Sequence, residues 1–277
     1  MSLTARRRLG NAIRSVLVIA LALICATPLW IIFINTFKTN GEMMKDPFGL
    51  PQHFSLDNYS KSFQELPIGR AFLNTLIVTV AAVFLEIFVG SLAAYGMILK
   101  KSWFTSAIGA ILMLTFVIPG QTLIIPQYRM LAQWGLVDHL LSLILLYTGG
   151  ACFCYYLIVG YMRGLPQSLF EAAKLDGAGP WRIYFQIVLP LIRPILVTTI
   201  VFQTMGAWND FMTPNIYLSS TEKQTIVLQV FSAQGRFNTN WPLFMAITTI
   251  ALIPVFIFFI VCQRWIVSGL VSGAVKG

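Results

Sequence analysis

The sequence predicts an all-α, polytopic membrane protein with six transmembrane helices. Three observations lead there. The first is composition: 57% of the 277 residues are hydrophobic and 10% are charged, with a mean hydropathy of +0.76. A water-facing domain carries about 25% charged residues, so lipid is the solvent for most of this chain. The second is the presence of six apolar segments of about 20 residues or more, the length that crosses a bilayer core. The third is that Lys and Arg gather beside those segments. A pI of about 9.6 would also suit a nucleic-acid binder, but basic residues flanking apolar runs set membrane orientation instead, and no nucleic-acid partner is expected.

The first segment, Ser15–Asn35, follows Arg6, Arg7, Arg8 and Arg14. A cleaved signal has an apolar core of about 7–15 residues. This run is longer and continues through Pro28-Leu29-Trp30, so it is read as a retained span. The others are Ala71–Leu99, Ser102–Pro126, Leu140–Met162, Ile183–Trp208 and Trp241–Cys262. Proline removes a helical hydrogen bond and clashes with the preceding turn. Kinks are therefore expected at Pro119-Gly120 and Pro126, and also at Pro190, Pro194 and Pro254. With a cytoplasmic N-terminus, 12 of the 19 Lys and Arg lie inside, and the seven outside are nearly matched by acids. Both termini are thus expected in the cytoplasm, with residues 1–14 and 269–277 flanking a membrane domain over 15–268. Lys100-Lys101 reads as a tight inner turn. The outer loops Thr36–Arg70, Gln127–His139 and Phe211–Asn240 contain two long enough to meet an external partner.

Little in the chain supports covalent chemistry. Cys25, Cys152, Cys154 and Cys262 lie in apolar runs, and no second pair or nearby His completes a metal site around Cys152 and Cys154. His53 and His139 fall in outer loops. No G-x4-G-K-[ST] phosphate loop occurs. The chain is read as a non-enzyme with no catalytic residue, no metal and no cofactor of its own.

The inner segment 164–182 is the exception to a chain of spans and loops. Pro166 suits a helix start. Leu169, Ala172, Ala173 and Leu175 form an apolar side, with Gln167, Glu171 and Lys174 polar. Gly177 can take the left-handed position that ends a helix. Gly179-Pro180 turns the chain, and Trp181–Val188 starts a second helix. Too few cations line it for a helix lying on lipid. It is read as a docking element that carries motion from a soluble partner into the membrane bundle.

Glu86 is the acid deepest in a span, and a charge there costs about 2.5–3.5 kcal/mol on insertion scales. It lines a solute path or is paired with a neighbouring helix. Asn74, Gln121, Gln203, Trp208, Asn209 and Asp210 are further candidates for the path, or for helix-to-helix hydrogen bonds. A stand-alone secondary transporter or channel is the alternative reading, but such chains show more spans, inverted halves or charge pairs. A membrane anchor without transport activity is a third.

The residues Glu171-Ala172-Ala173, Gly177 and Leu189-Pro190 resemble the EAA loop of bacterial ABC-importer permeases. Phe72-Leu73-Asn74-Thr75-Leu76, Trp208-Asn209-Asp210-Phe211 and the tail from Gln263-Arg264-Trp265 to Gly277 resemble its carbohydrate-uptake branch, in particular the smaller, MalG-like subunit of maltose-type transporters. The resemblance implies a type I importer permease fold (MetI/MalG-like) in a bacterial plasma membrane. It implies that Glu171, Ala172, Ala173, Lys174, Leu175, Asp176 and Gly177 dock on an ATPase. It also implies partners: a second, MalF-like permease, two MalK-like ATPase subunits holding ATP and Mg, and an extracellular or periplasmic sugar-binding protein. Gln234, Gly235, Arg236 and Phe237 would touch that binding protein, and Gly269–Gly277 would reach between the ATPases. The implied solute is a sugar or oligosaccharide; a glycerol-phosphate compound is the non-sugar alternative.

Overall fold

The computed structural model describes residues 3–99, 102–236 and 240–274, and among them every regular element is helical. The Lys100-Lys101 turn, Phe237 and the last residues of the tail lie outside them. In chain order the helices are α1 (Leu3–Asn35), α2 (Asn40–Lys45), α3 (Asp57–Glu65), α4 (Ile68–Leu99), α5 (Trp103–Val117), α6 (Ile124–Gln133), α7 (Leu140–Thr148), α8 (Ala151–Met162), α9 (Ser168–Leu175), α10 (Pro180–Ile183), α11 (Leu189–Leu191), α12 (Arg193–Asn209), α13 (Met212–Tyr217), α14 (Ile226–Arg236) and α15 (Trp241–Ala274).

Four stretches are long and apolar enough to cross a membrane unbroken: Gly10–Asn35, Ile68–Leu99, Leu140–Met162 and Trp241–Gln263. Two bent helix pairs pass the same test of length and composition together. α5 and the stretch Gly120–Gln133 meet at 95°, and Pro180–Leu191 meets α12 at 76°. Counting each bent pair as one span gives six among the described residues, in line with the six expected segments. The first bend sits at Pro119, where Ile118 is extended (φ −82°, ψ 116°), as a residue before proline prefers. The second sits at Ile192, between Pro190 and Pro194. Ahead of it, Tyr184–Val188 is a π-helical turn. In a regular α-turn the Pro190 ring would strike the Gln186 carbonyl, and a wider turn relieves that clash. Two expected kinks are not breaks. Pro126 falls in the first turn of α6, where its missing N–H removes no helical bond, and α15 runs uninterrupted through Pro254.

The chain divides into two compact units. One is drawn from Met1–Ile68 and Val230–Pro254. Within it the loop after α1 is built around Lys38, only 2% exposed, whose Nζ donates to the Asp46 carbonyl at 2.7 Å. Asn58 donates to the carbonyls of Thr36 and Lys38 at 2.8 and 2.9 Å. Thr39 and Glu42 form a capping box on α2.

The other unit is drawn from Gly69–Gln229 and Val255–Gly277. Two apolar cores lie among its described residues. One joins Ala94 and Tyr95 of α4, Cys154, Ile158 and Met162 of α8, Phe170 and Ala173 of α9, and Ile183, Tyr184 and Val188. The other joins Val78, Leu131, Leu143, Tyr217, Leu218 and Leu228.

Candidate coupling site and membrane-embedded polar groups

α9 is eight residues long and is fixed at both ends by its own backbone. Phe170 and Glu171 donate their N–H groups to the Gln167 carbonyl at 2.9 and 3.2 Å. At the other end Gly177 has φ +75°. Its N–H reaches the Lys174 carbonyl, and the Ala178 N–H reaches that of Ala173, both at 3.0 Å. This is a Schellman closure, and it requires the left-handed conformation that glycine takes without strain.

The buried side of α9 differs from the apolar side read in the sequence. Phe170 and Ala173 are buried, whereas Leu169, Ala172 and Leu175 are exposed, Leu175 to 88%. The i, i+3 pair Phe170/Ala173 shares one face, and the larger side chain claims the core. Glu171, Ala172, Lys174, Leu175 and Asp176 are left pointing outward.

The core beneath α9 is fastened to α4. Tyr95 donates its hydroxyl to the Pro180 carbonyl at 2.8 Å, and the hydroxyls of Ser91 and Tyr184 lie 2.7 Å apart. The Tyr95 and Tyr184 rings are 5.5 Å apart. α9, α10 and the π-turn thus share one packed core with α4 and α8.

Midway along α4, Glu86 is buried, with the Gln203 side chain of α12 nearby. Its Oε2 has no partner among the described residues. Gly150 lies against both. A Cβ there would stand 2.2 Å from Gln203 Nε2 and 2.5 Å from Glu86 Oε1. The other polar candidates are dispersed. Asn74 is buried and donates to the carbonyls of Glu222 and Gln224 at 2.9 and 3.1 Å. Trp208 is buried edge-on against Phe72 at 5.6 Å. Asp210 accepts from the Tyr147 hydroxyl at 2.9 Å. Asn209 is exposed and bonds back to Met205, and Gln121 is exposed on the 3-10 turn after Pro119.

A bent-helix bundle with a short inner helix tied to its core has known counterparts. Residues 86–272 match the family described as binding-protein-dependent transport system inner membrane component. The chain belongs to that family. It is 35% identical over 261 residues to the probable starch degradation products transport system permease protein AmyC of Thermoanaerobacterium thermosulfurigenes, covering 93% of this chain and 94% of that one. It is 30% identical over 271 residues to the melibiose/raffinose/stachyose import permease protein MelC of Bacillus subtilis, covering 96% and 98%. The fold matches a subunit in the crystal structure of a bacterial ABC transporter involved in the import of the acidic polysaccharide alginate. There the TM-score is 0.80 at 23% identity, over 95% of this chain and 98% of that one.

In this permease the loop after α12 is structured rather than open. It contains α13, a 3-10 turn at Thr221–Lys223 and α14, which carries Gln234, Gly235 and Arg236. Its base is locked by Asp138, the non-glycine residue with positive φ (60°). Asp138 Oδ1 accepts the N–H groups of Ser219 and Ser220, both at 2.9 Å, and Oδ2 accepts the Ser220 hydroxyl and Lys223 Nζ. Burial opposes the charge, but the Ser220 hydroxyl, the two amides and Lys223 outweigh it and hold the carboxyl well below its usual range. The sequence reading passed over Asp138, and also Phe170 and Gly150. Spacing within α9 could have flagged Phe170, and the Gly149-Gly150 pair could have flagged a weak point in its span.

Proposed function

We propose that this permease subunit imports a sugar or oligosaccharide, driven by ATP hydrolysis on separate subunits that grip α9. The observation that carries the coupling role is the two-sidedness of α9. Its Phe170/Ala173 face is part of the bundle core, while Ala172 and the 88%-exposed Leu175 project with no cover in this chain. An exposed leucine beside alanine, with Glu171 and Lys174 around it, suits an apolar groove with a polar rim.

On this reading the partners are two ATPase subunits holding ATP and Mg, a second homologous permease, and an external binding protein that meets the α13–α14 loop around Gln234, Gly235, Arg236 and Phe237. Both termini lie in the cytoplasm, as the Lys and Arg asymmetry supports. This chain then contributes the path and the lever but no nucleotide chemistry. Relatives named for starch products and for melibiose, raffinose and stachyose support sugars as the solute class. Asn74, Trp208 and Asp210 serve as fasteners within the chain; Gln121 and Asn209, being exposed, are the better candidates for solute or partner contact.

Leu175→Asp tests the docking face directly. Its side chain is in the open, so the chain itself folds as before. Co-purification of the ATPase subunits should fall at least about tenfold, the effect of losing one anchor residue of an interface. Gly177→Val strains the left-handed closure while meeting no neighbouring atom, and should leave the complex assembled but with less solute moved per ATP. Unaltered ATPase capture by Leu175→Asp would sink the proposal.

A further inference from the structure

We infer that a cavity between the ends of α4, α5 and α8 binds an anionic membrane phospholipid by its headgroup. The inference goes beyond the coupling role proposed above and does not depend on it.

The cavity arises from residue size. Ser106, Gly109 and Ala110 of α5 line it together with Gly160 of α8. A Cβ at Gly160 would meet no atom within 4 Å. Tyr156 pins the same two helices together. Its hydroxyl donates to the Gly109 carbonyl at 2.5 Å, and its ring meets Phe116 at 5.2 Å. Where the small residues lie, the helices leave about 620 Å³ between them, the size of a ligand site rather than of a packing defect.

Its level is that of the membrane surface. The spans Ile68–Leu99 and Leu140–Met162 both end there. Met97, Ile98 and Met162 belong to its walls, and Arg163 is the first residue past the second span. An arginine at a span end reaches into the headgroup layer.

Its charge suits an anion. Among the described residues the lining carries one charge, that of Arg163, and no carboxylate. Arg163 forms no ion pair with a described residue. In sequence, α4 and α5 are joined by Lys100-Lys101. Basic pockets between span ends take anionic headgroups, and a guanidinium holds phosphate through two parallel hydrogen bonds.

A second group calls for a ligand. Tyr155 lines the cavity and is only 6% exposed. Its hydroxyl stands 3.4 Å from where a Gly109 Cβ would lie and forms no hydrogen bond with a described residue. Buried hydroxyls ordinarily have a partner. Tyr155, Val159 and Arg163 follow one another at i, i+4 and i+8, and all three line the cavity. The two polar ends are separated by about 12 Å of helix rise. A free phosphate spans too little to meet both. A phospholipid meets both, with its phosphate on Arg163, an ester carbonyl accepting from Tyr155, and its chains along Met97, Ile98 and Met113. Gln167 and Phe170, at the root of α9, border the same space, so the bound lipid braces that turn.

The test uses the whole transporter, stripped of lipid in detergent and titrated with dioleoylphosphatidylglycerol or dioleoylphosphatidylcholine. Native mass spectrometry counts the lipids held. The unmodified complex should hold one phosphatidylglycerol per copy of this chain, about fivefold more tightly than phosphatidylcholine. Gly160→Leu fills the cavity and should lower the count by one. Arg163→Gln removes an exposed, unpaired cation, so the chain folds as before, and should weaken the lipid about tenfold. Tyr155→Phe should weaken it about threefold. Hydrogen exchange over residues 163–170 should slow when phosphatidylglycerol is added, and should not respond in Gly160→Leu. An unchanged count in Gly160→Leu, unchanged affinity in Arg163→Gln, or equal affinity for the two lipids would overturn the inference. Displacement of the lipid by excess inorganic phosphate would also overturn it, assigning a soluble anion instead. So would a Gly160→Leu chain that no longer assembles, since the cavity would then belong to a subunit contact.

Discussion

Two regions of the larger unit, one around α9 and one around Asp138, are fastened by different mixtures of forces. Around α9, neighbouring elements are joined by aromatic and aliphatic packing: Phe170, Tyr95, Tyr184, Ile158 and Met162 share one core, with two hydroxyl contacts at its edge. Around Asp138, a second apolar core is supplemented by hydrogen bonds, charge-assisted at Asp138 and neutral at Asn74. Asp138 gathers Ser219, Ser220 and Lys223, and Asn74 holds the carbonyls of Glu222 and Gln224. Close-packed side chains transmit displacement, since interiors are dense and barely compressible. Polar ties fix a loop's shape in water at modest depth. A displacement of α9 would therefore pass to its packed neighbours, whereas the ties at Asp138 hold the shape of residues 218–224.

That contrast can be broken by experiment. The largest loss should come from Phe170→Ala, because a buried aromatic truncated in a core costs about 3–5 kcal/mol. The detergent-solubilised permease should melt at markedly lower temperature, and α9 should exchange its amides faster. An unchanged melt would show that α9 is only loosely attached. Asp138→Ala comes next. It removes the acceptor of several bonds and places alanine at φ 60°, so a local loss of about 2–3 kcal/mol is expected. Faster hydrogen exchange should be confined to residues 218–224, with Asp138→Asn affected less.

Acid sharpens the same point. The Asp138 carboxyl titrates below its ordinary value. Its stabilisation is therefore fully present above about pH 4, the unfolded value, and is lost only as pH falls through the lower folded one. Exchange over 218–224, corrected for intrinsic rate, should be the same at pH 7 and pH 5. The smallest effect is expected from Arg70→Ala. The Arg70–Glu222 pair at 3.1 Å is largely exposed, and such pairs contribute about 0–1 kcal/mol. A large loss there would erase the distinction between a tie and a surface contact.

Much of this was legible beforehand because it depends on local chemistry. Span length follows from hydropathy and a fixed bilayer thickness. The end of α9 follows from Gly177, since only the left-handed turn closes the helix in that way. The break after Ile118 follows from Pro119-Gly120. The burial of Phe170 in place of Leu169 was not legible, because both fit an amphipathic pattern and neighbours 10 or more positions away choose between them. The same holds for Pro254, whose effect is absorbed within α15, and for Glu86, left open between solute path and structural pair.

The sequence alone therefore marked six apolar segments, the ends of those segments at which Lys and Arg gather, and the glycine that closes α9. Each of those depends on residues that are neighbours along the chain. Only the tertiary structure decided that Glu86 meets Gln203 across Gly150, that Asp138 fastens a loop some 80 positions away, and which side of α9 is left open. Those outcomes depend on which distant groups share a small volume, and one-dimensional spacing carries no record of that.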